Sequence, residues 1–145
     1  MISTSNIEQA KNLIKKSREK PLIVEARDDN FNRKILEYGH FGILLGIEKG
    51  ERKRSLRNID SGFNEVLAHI AAKNKVTLGI DLEELRNLPK EQQALRLERI
   101  IQNIKLCRKA KTKIALLNYK DKKDAFAFLV SLGASTSQAK QSLDF

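Results

Sequence analysis

Asp28, Asp29, Asp60 and Asp81 each follow a short apolar run, and they are the residues of this chain best suited to gather round a metal ion. Carboxylates collected at one end of a sheet are what metal-assisted phosphoester hydrolysis requires, and an all-oxygen Mg²⁺ site is open to such a set. The chain offers that site little nitrogen. There are 2 histidines. His40 sits just before an apolar run, at the opposite end from the carboxylates, and His69 lies off the apolar stripe of a helical segment. Neither has a partner at ligand spacing. Asp60, or Ser61 beside it, is also placed to cap a helix, and for Asp60 that role is preferred. The single cysteine, Cys107, falls near the end of a long helical pattern. Burial is expected there, because reactive thiols favour helix N-termini. No phosphate-binding glycine loop and no nucleophile elbow is present.

Cations are the larger resource. Lys and Arg number 28 against 18 Asp and Glu, for a net charge of +10, and the pI is about 9.8. Charge of that size draws a protein to polyanions, nucleic acid first. It is unevenly placed. Within the loop from Ile47 to Asp60, the stretch Lys49–Arg57 holds Lys49, Arg52, Lys53, Arg54 and Arg57 with Glu51 alone as acid. Arg52, Lys53 and Arg54 are RNA-contact candidates on charge alone, and the loop is expected to end at a helix N-terminus, where free N–H groups favour phosphate. A second basic stretch runs from Lys105 to Lys123, and between the two lies an acidic one, Asp81 to Glu98. With no Trp, 6 Phe and 2 Tyr, scattered along the chain, a base-stacking platform is not expected.

The elements that must position these side chains follow from hydropathy. Leu22–Val24, Phe41–Leu45, Val76–Ile80 and Ile114–Leu117 are continuous apolar runs, as in strands buried on both faces of a parallel sheet. Helical patterns separate them. Ile7, Ala10, Leu13 and Ile14 precede the first run, and Asp28 to Tyr38 follows it. Phe63, Val66, Leu67, Ile70 and Ala71 form a stripe at i, i+3, i+4, i+7, i+8. A long helix is expected from Pro89 to Lys109, its stripe made by Ala94, Leu97, Ile101 and Ile104. Lys122–Leu132 and Ser135–Leu143 close the chain, with Ser135 as an N-cap. Alternating strands and helices make a parallel α/β domain of residues 1–145, either an open doubly wound sheet or part of a (β/α) barrel. A complete barrel needs at least roughly 200 residues. No apolar run approaches a membrane span and no secretory leader is visible, so a cytoplasmic protein is expected.

One stretch resembles a known family. Ser61-Gly62-Phe63-Asn64-Glu65-Val66-Leu67-Ala68-His69-Ile70-Ala71-Ala72, with Arg57 and Asp60 before it and Val76-Thr77-Leu78-Gly79-Ile80 after it, is similar to the central signature of archaeal ribonuclease P protein component 3. Asn32-Arg33, Leu106-Cys107-Arg108-Lys109 and Ser131-Leu132-Gly133 extend the likeness over roughly residues 7–145. Family members are usually longer at the N-terminus. The resemblance implies a TIM-barrel-like fold related to metal-dependent phosphoesterases, here partial or truncated. It implies a ribonuclease P subunit that stabilises a catalytic RNA removing the 5′ leader of precursor tRNA. The protein would bind no cofactor, the RNA would use Mg²⁺, and a small ferredoxin-like subunit would be its protein partner. By matched position, Arg33 and Arg57 are RNA contacts, with Lys73, Lys111, Lys122 and Lys123 assigned more loosely. The alternative is a small metal-dependent phosphoesterase using Asp28, Asp60 and Asp81.

Overall fold

Polar side chains set where most of the helices begin. In the computed structural model, which describes residues 1–52 and 58–144, Asn6 caps α1 (Ile7–Lys16) and Asp28 caps α2 (Asp29–Tyr38). Asn64 caps α3 (Glu65–Lys73), Asp81 caps α4 (Leu82–Arg86) and Asp121 caps α6 (Lys122–Ser131). Each cap accepts from a backbone N–H that the first turn leaves without a partner. Ser135 and Gln138 form a reciprocal capping box on α7 (Thr136–Ser142). The long α5 (Lys90–Ala110) starts after Pro89, whose missing N–H is no loss there.

Four short strands, β1 (Ile23–Glu25), β2 (Ile43–Leu45), β3 (Thr77–Asp81) and β4 (Ile114–Leu117), lie parallel in the order β1-β2-β3-β4. That order decides between the two expected architectures. A doubly wound sheet reverses direction at a switch point, and this one never reverses. It is a sequentially wound segment of a TIM-barrel-like fold. Register puts Val24, Leu44, Leu78 and Ile114 in one row on the helix-packed face. All four belong to the hydrophobic core. Glu25, Leu45, Gly79 and Ala115 form the adjacent row on the other face.

Two helices differ from the hydropathy reading. α3 begins at Asn64, so Phe63 is buried ahead of the helix, and Val66 is 54% exposed. The inward positions are Leu67, Ala68 and Ala71; the two alanines pack closely but read as nearly neutral in a hydropathy pattern. In α5 the buried stripe is Ile100, Ile104 and Cys107 together with Arg99 and Asn103, whereas Ile101 is 45% exposed. This helix covers a polar loop as well as the core, so polar residues occupy part of its inner face.

Candidate nucleic-acid interface

The described ends of the loop from Ile47 to Asp60, residues 47–52 and 58–60, are held by side chains that meet from three elements. Arg52 turns inward and is only 9% exposed on its side chain. It donates Nη2 to Asp29 Oδ1 at 2.6 Å and Nη1 to Asp29 Oδ2 at 3.2 Å and Asp60 Oδ1 at 3.1 Å. The hydrogen bond with Asp29 is the main reason its guanidinium is held above its ordinary pKa. Arg99, from α5, donates Nη1 to the carbonyls of Glu48 and Gly50, both at 2.9 Å. Gln102 donates Nε2 to the Ile59 carbonyl at 2.8 Å. Lys49 pairs with Glu84 at 2.5 Å, and Arg96 reaches the same carboxylate at 3.6 Å. Arg99 and Gln102 escaped the hydropathy reading, which assigned this part of α5 an apolar stripe. The signal was their position on the inner face of the helix.

Glu48 is buried, 4% exposed, and its Oε2 has no hydrogen-bond partner among the described residues. Burial raises its pKa above the ordinary 4.5, outweighing its own backbone hydrogen bond and the nearby Arg96 and Lys49. The folded state therefore favours the protonated form. Stability from this group is full below the unfolded value and falls as pH rises through the raised one. Glu48→Gln is expected to be more stable than the parent at neutral pH and to lose that advantage below about pH 4.5. Urea midpoints measured across pH test this; no gain at neutral pH would contradict it.

The carboxylates considered for metal binding have structural partners. Asp28 Oδ1 accepts from Phe31 N at 2.7 Å. Asp81 Oδ1 accepts from Glu84 N at 3.2 Å and from Asn118 Nδ2 at 3.1 Å. Asp60 Oδ1 accepts from Gly62 N at 3.1 Å as well as from Arg52. Among the described residues, no group of three or more His, Cys, Asp or Glu side chains is arranged to hold a metal ion. His40 and His69 are exposed. Cys107 is buried, and desolvation pushes its thiol pKa up to about 12. No described helix is long and apolar enough to cross a membrane.

The candidate RNA contacts do not share one surface. Arg52, Lys122 and Lys123 lie toward the C-terminal ends of the strands, Arg33 lies midway along α2, and Lys73 and Lys111 lie where the chain enters β3 and β4. Arg33 pairs with Glu37 at 2.9 Å and Lys122 with Asp144 at 3.7 Å. Lys73, Lys111 and Lys123 are exposed. Arg52 braces the loop instead of facing solvent. Lys53, Arg54 and Arg57 lie outside the described residues. The expected handover from basic loop to helix N-terminus is corrected as well, since residues 61–63 intervene before the cap at Asn64.

Both sequence and fold have relatives in archaeal tRNA-processing machinery. Over 117 residues the chain is 28% and 29% identical to ribonuclease P protein component 3 of Methanococcus maripaludis strains C7 and C6. Each match covers 79% of this chain and 47% of the relative. The fold superposes on a chain from a cryo-EM structure of archaeal ribonuclease P with mature tRNA, with a TM-score of 0.77 and 26% identity. That match covers 96% of this chain and 61% of the other. The chain is similar in sequence to ribonuclease P protein component 3. It spans about half the length of the curated relatives it matches. No protein-family model matches it.

The stretch that resembles the component 3 signature builds a turn. Gly62 adopts φ +78°. Ser61 is buried, donating to the Phe63 carbonyl and accepting from Gln102. Asn64 caps α3, and Asn74 at the other end of that helix donates to the Leu36 and Glu37 carbonyls. This stretch thus ties α3 to α2 through Asn74 and to α5 through Ser61 and Gln102.

Proposed function

We propose that this chain is a protein subunit of ribonuclease P, binding and bracing the RNA that removes the 5′ leader from precursor tRNA. The observation that carries this reading is the superposition of nearly the whole chain on a subunit chain of archaeal ribonuclease P. The sequence likeness to component 3 supports it independently, and so does the excess of cations. Catalysis is assigned to the RNA and its Mg²⁺, with no cofactor on the protein. Asp28, Asp60 and Asp81 each give one carboxylate oxygen to a cap or turn, roles that need no metal. A small ferredoxin-like subunit is the expected protein partner, precursor tRNA is engaged through the RNA, and the complex works in the cytoplasm.

Reconstituted cleavage tests the reading. Precursor tRNA is incubated with the ribonuclease P RNA and the remaining protein subunits, with and without this chain. Omission is expected to slow cleavage and raise the Mg²⁺ concentration it needs, because phosphates crowded in the RNA core lose cationic partners. Equal rates and equal Mg²⁺ dependence would dismiss the proposal.

A further inference from the structure

Among the described residues, ion pairing of the cations is much denser at one end of the sheet than at the other. Toward the C-terminal ends of the strands, Arg27, Lys49, Arg52 and Lys122 are tied to carboxylates, and Lys120 and Lys123 are the two exposed lysines there outside an ion pair among the described residues. At the opposite end the loops entering the strands carry Arg18 and Lys20 before β1, Lys73 and Lys75 before β3, and Lys111 and Lys113 before β4. All six are exposed. None is in an ion pair with a described residue. The nearby acids are already engaged: Glu19 meets the N-terminal amine at 3.2 Å and Glu37 meets Arg33 at 2.9 Å.

These loops form one surface. Gly42 N donates to the Leu22 carbonyl at 3.0 Å, Thr77 N to the Gly42 carbonyl at 2.8 Å and Leu78 N to the Lys113 carbonyl at 2.9 Å. The four strand entrances therefore sit side by side, spanning about 15 Å at the usual strand spacing. A groove of about 450 Å³ runs along the entrances to β1, β2 and β3, with Arg18, Glu19, Lys20, His40 and Lys75 on its walls. Helix polarity explains part of the pattern, since cations favour the C-terminal turn where Lys73 sits. It does not explain Arg18, Lys20, Lys75 or Lys113, which lie outside any helix.

We infer that this strand-entrance end, and not the end where barrel enzymes hold their chemistry, is the face that takes the RNA backbone. Unpaired, solvated cations release counterions on meeting phosphates without first breaking an ion pair. A protein partner would need an apolar centre, and none of the large exposed apolar side chains lies in these four loops. The inference rests on the proposed ribonuclease P role and names the face through which it acts.

The test is the salt dependence of binding to the ribonuclease P RNA of the source organism. Three double variants of the full chain are compared: Arg18→Gln with Lys20→Gln, Lys73→Gln with Lys75→Asn, and Lys111→Asn with Lys113→Gln. Asn is used at Lys75 and Lys111 because their φ values are +57° and +63°, a region Asn tolerates. Each phosphate contact contributes roughly 0.7–0.9 to the slope of log K against log salt. Each pair is therefore expected to lower the slope by about 1–2, while Lys90→Gln, on the first turn of α5, leaves it unchanged. Unchanged slopes in all three pairs, or a loss confined to Lys53→Gln/Arg54→Gln/Arg57→Gln, would place the RNA elsewhere and leave the proposed function standing. An equal loss in Lys90→Gln would reduce the effect to overall charge and sink the inference. Failure of the parent chain to bind the RNA would remove both. Urea midpoints confirm folding of each variant, and with three independent pairs the loss of one to misfolding does not shield the idea.

Discussion

Gly62→Ala is expected to cost about 3–4 kcal/mol of stability, a large share of the 5–15 kcal/mol that a typical domain possesses. Two penalties coincide at this position. An alanine at φ +78° enters the left-handed region, at roughly 1–2 kcal/mol. Its Cβ would also collide with the Ile47 carbonyl oxygen and crowd the Arg52 guanidinium. Backbone cannot swing aside as a flexible side chain can, so the overpacking adds about 1–3 kcal/mol. Gly133→Ala isolates the first term. Gly133 also has positive φ, +102°, but nothing lies within 4 Å of where its Cβ would stand. Urea unfolding of both variants should show the Gly62 change costing clearly more at an unchanged m-value. Equal losses would mean that the turn yields and the contact with Ile47 carries no weight.

Arg99→Met should lower stability by about 2 kcal/mol and loosen the basic loop by more than the fold as a whole. Arg99 is 9% exposed and has no carboxylate in ion-pair range among the described residues. Its pKa is lowered chiefly by burial, then by repulsion from Arg52 and Arg96. Methionine replaces the stem but leaves the Glu48 and Gly50 carbonyls without their donor. Hydrogen bonds to charged groups contribute about 1.5–3 kcal/mol each. Relief from burying an uncompensated cation offsets part of that loss. Tryptic cleavage after Lys49, Arg52, Lys53, Arg54 or Arg57 reports the local effect. The bonds should be cut faster in the variant by a larger factor than its loss of global stability explains. If cleavage only tracks global unfolding, Arg99 is not a brace for this loop.

The parts of the fold that were legible in the sequence are those whose signal is local. Continuous runs such as Leu22–Val24 and Ile114–Leu117 announce buried parallel strands, because a strand covered on both faces has no reason to alternate. Ser135 with Gln138 announces its helix for a similarly local reason, being a reciprocal pair on one turn. Strand order was not legible: the same runs fit a doubly wound sheet until pairing partners are known. The start of α3 was misplaced because Asp60 and Ser61 have the composition of a cap while their side chains build the turn before it. The site shows the same division. That cations predominate is visible by counting. That Arg52 is committed depends on Asp29, 23 residues away. That Arg18, Lys73 and Lys111 share an end depends on the chain returning to the same edge of the sheet, which no single segment encodes.

The uninterrupted order of the four strands also bears on how the chain comes into being. No strand is inserted between two made earlier, so each new strand meets an edge that synthesis has already completed. During translation β2 can dock on β1 while β3 is still within the ribosome, and β4 is added last. Every pairing step then closes only the segment just made, which keeps the loop-closure entropy small. The sheet can grow in the direction of synthesis, with each new strand from β2 to β4 covering the edge of the strand made just before it.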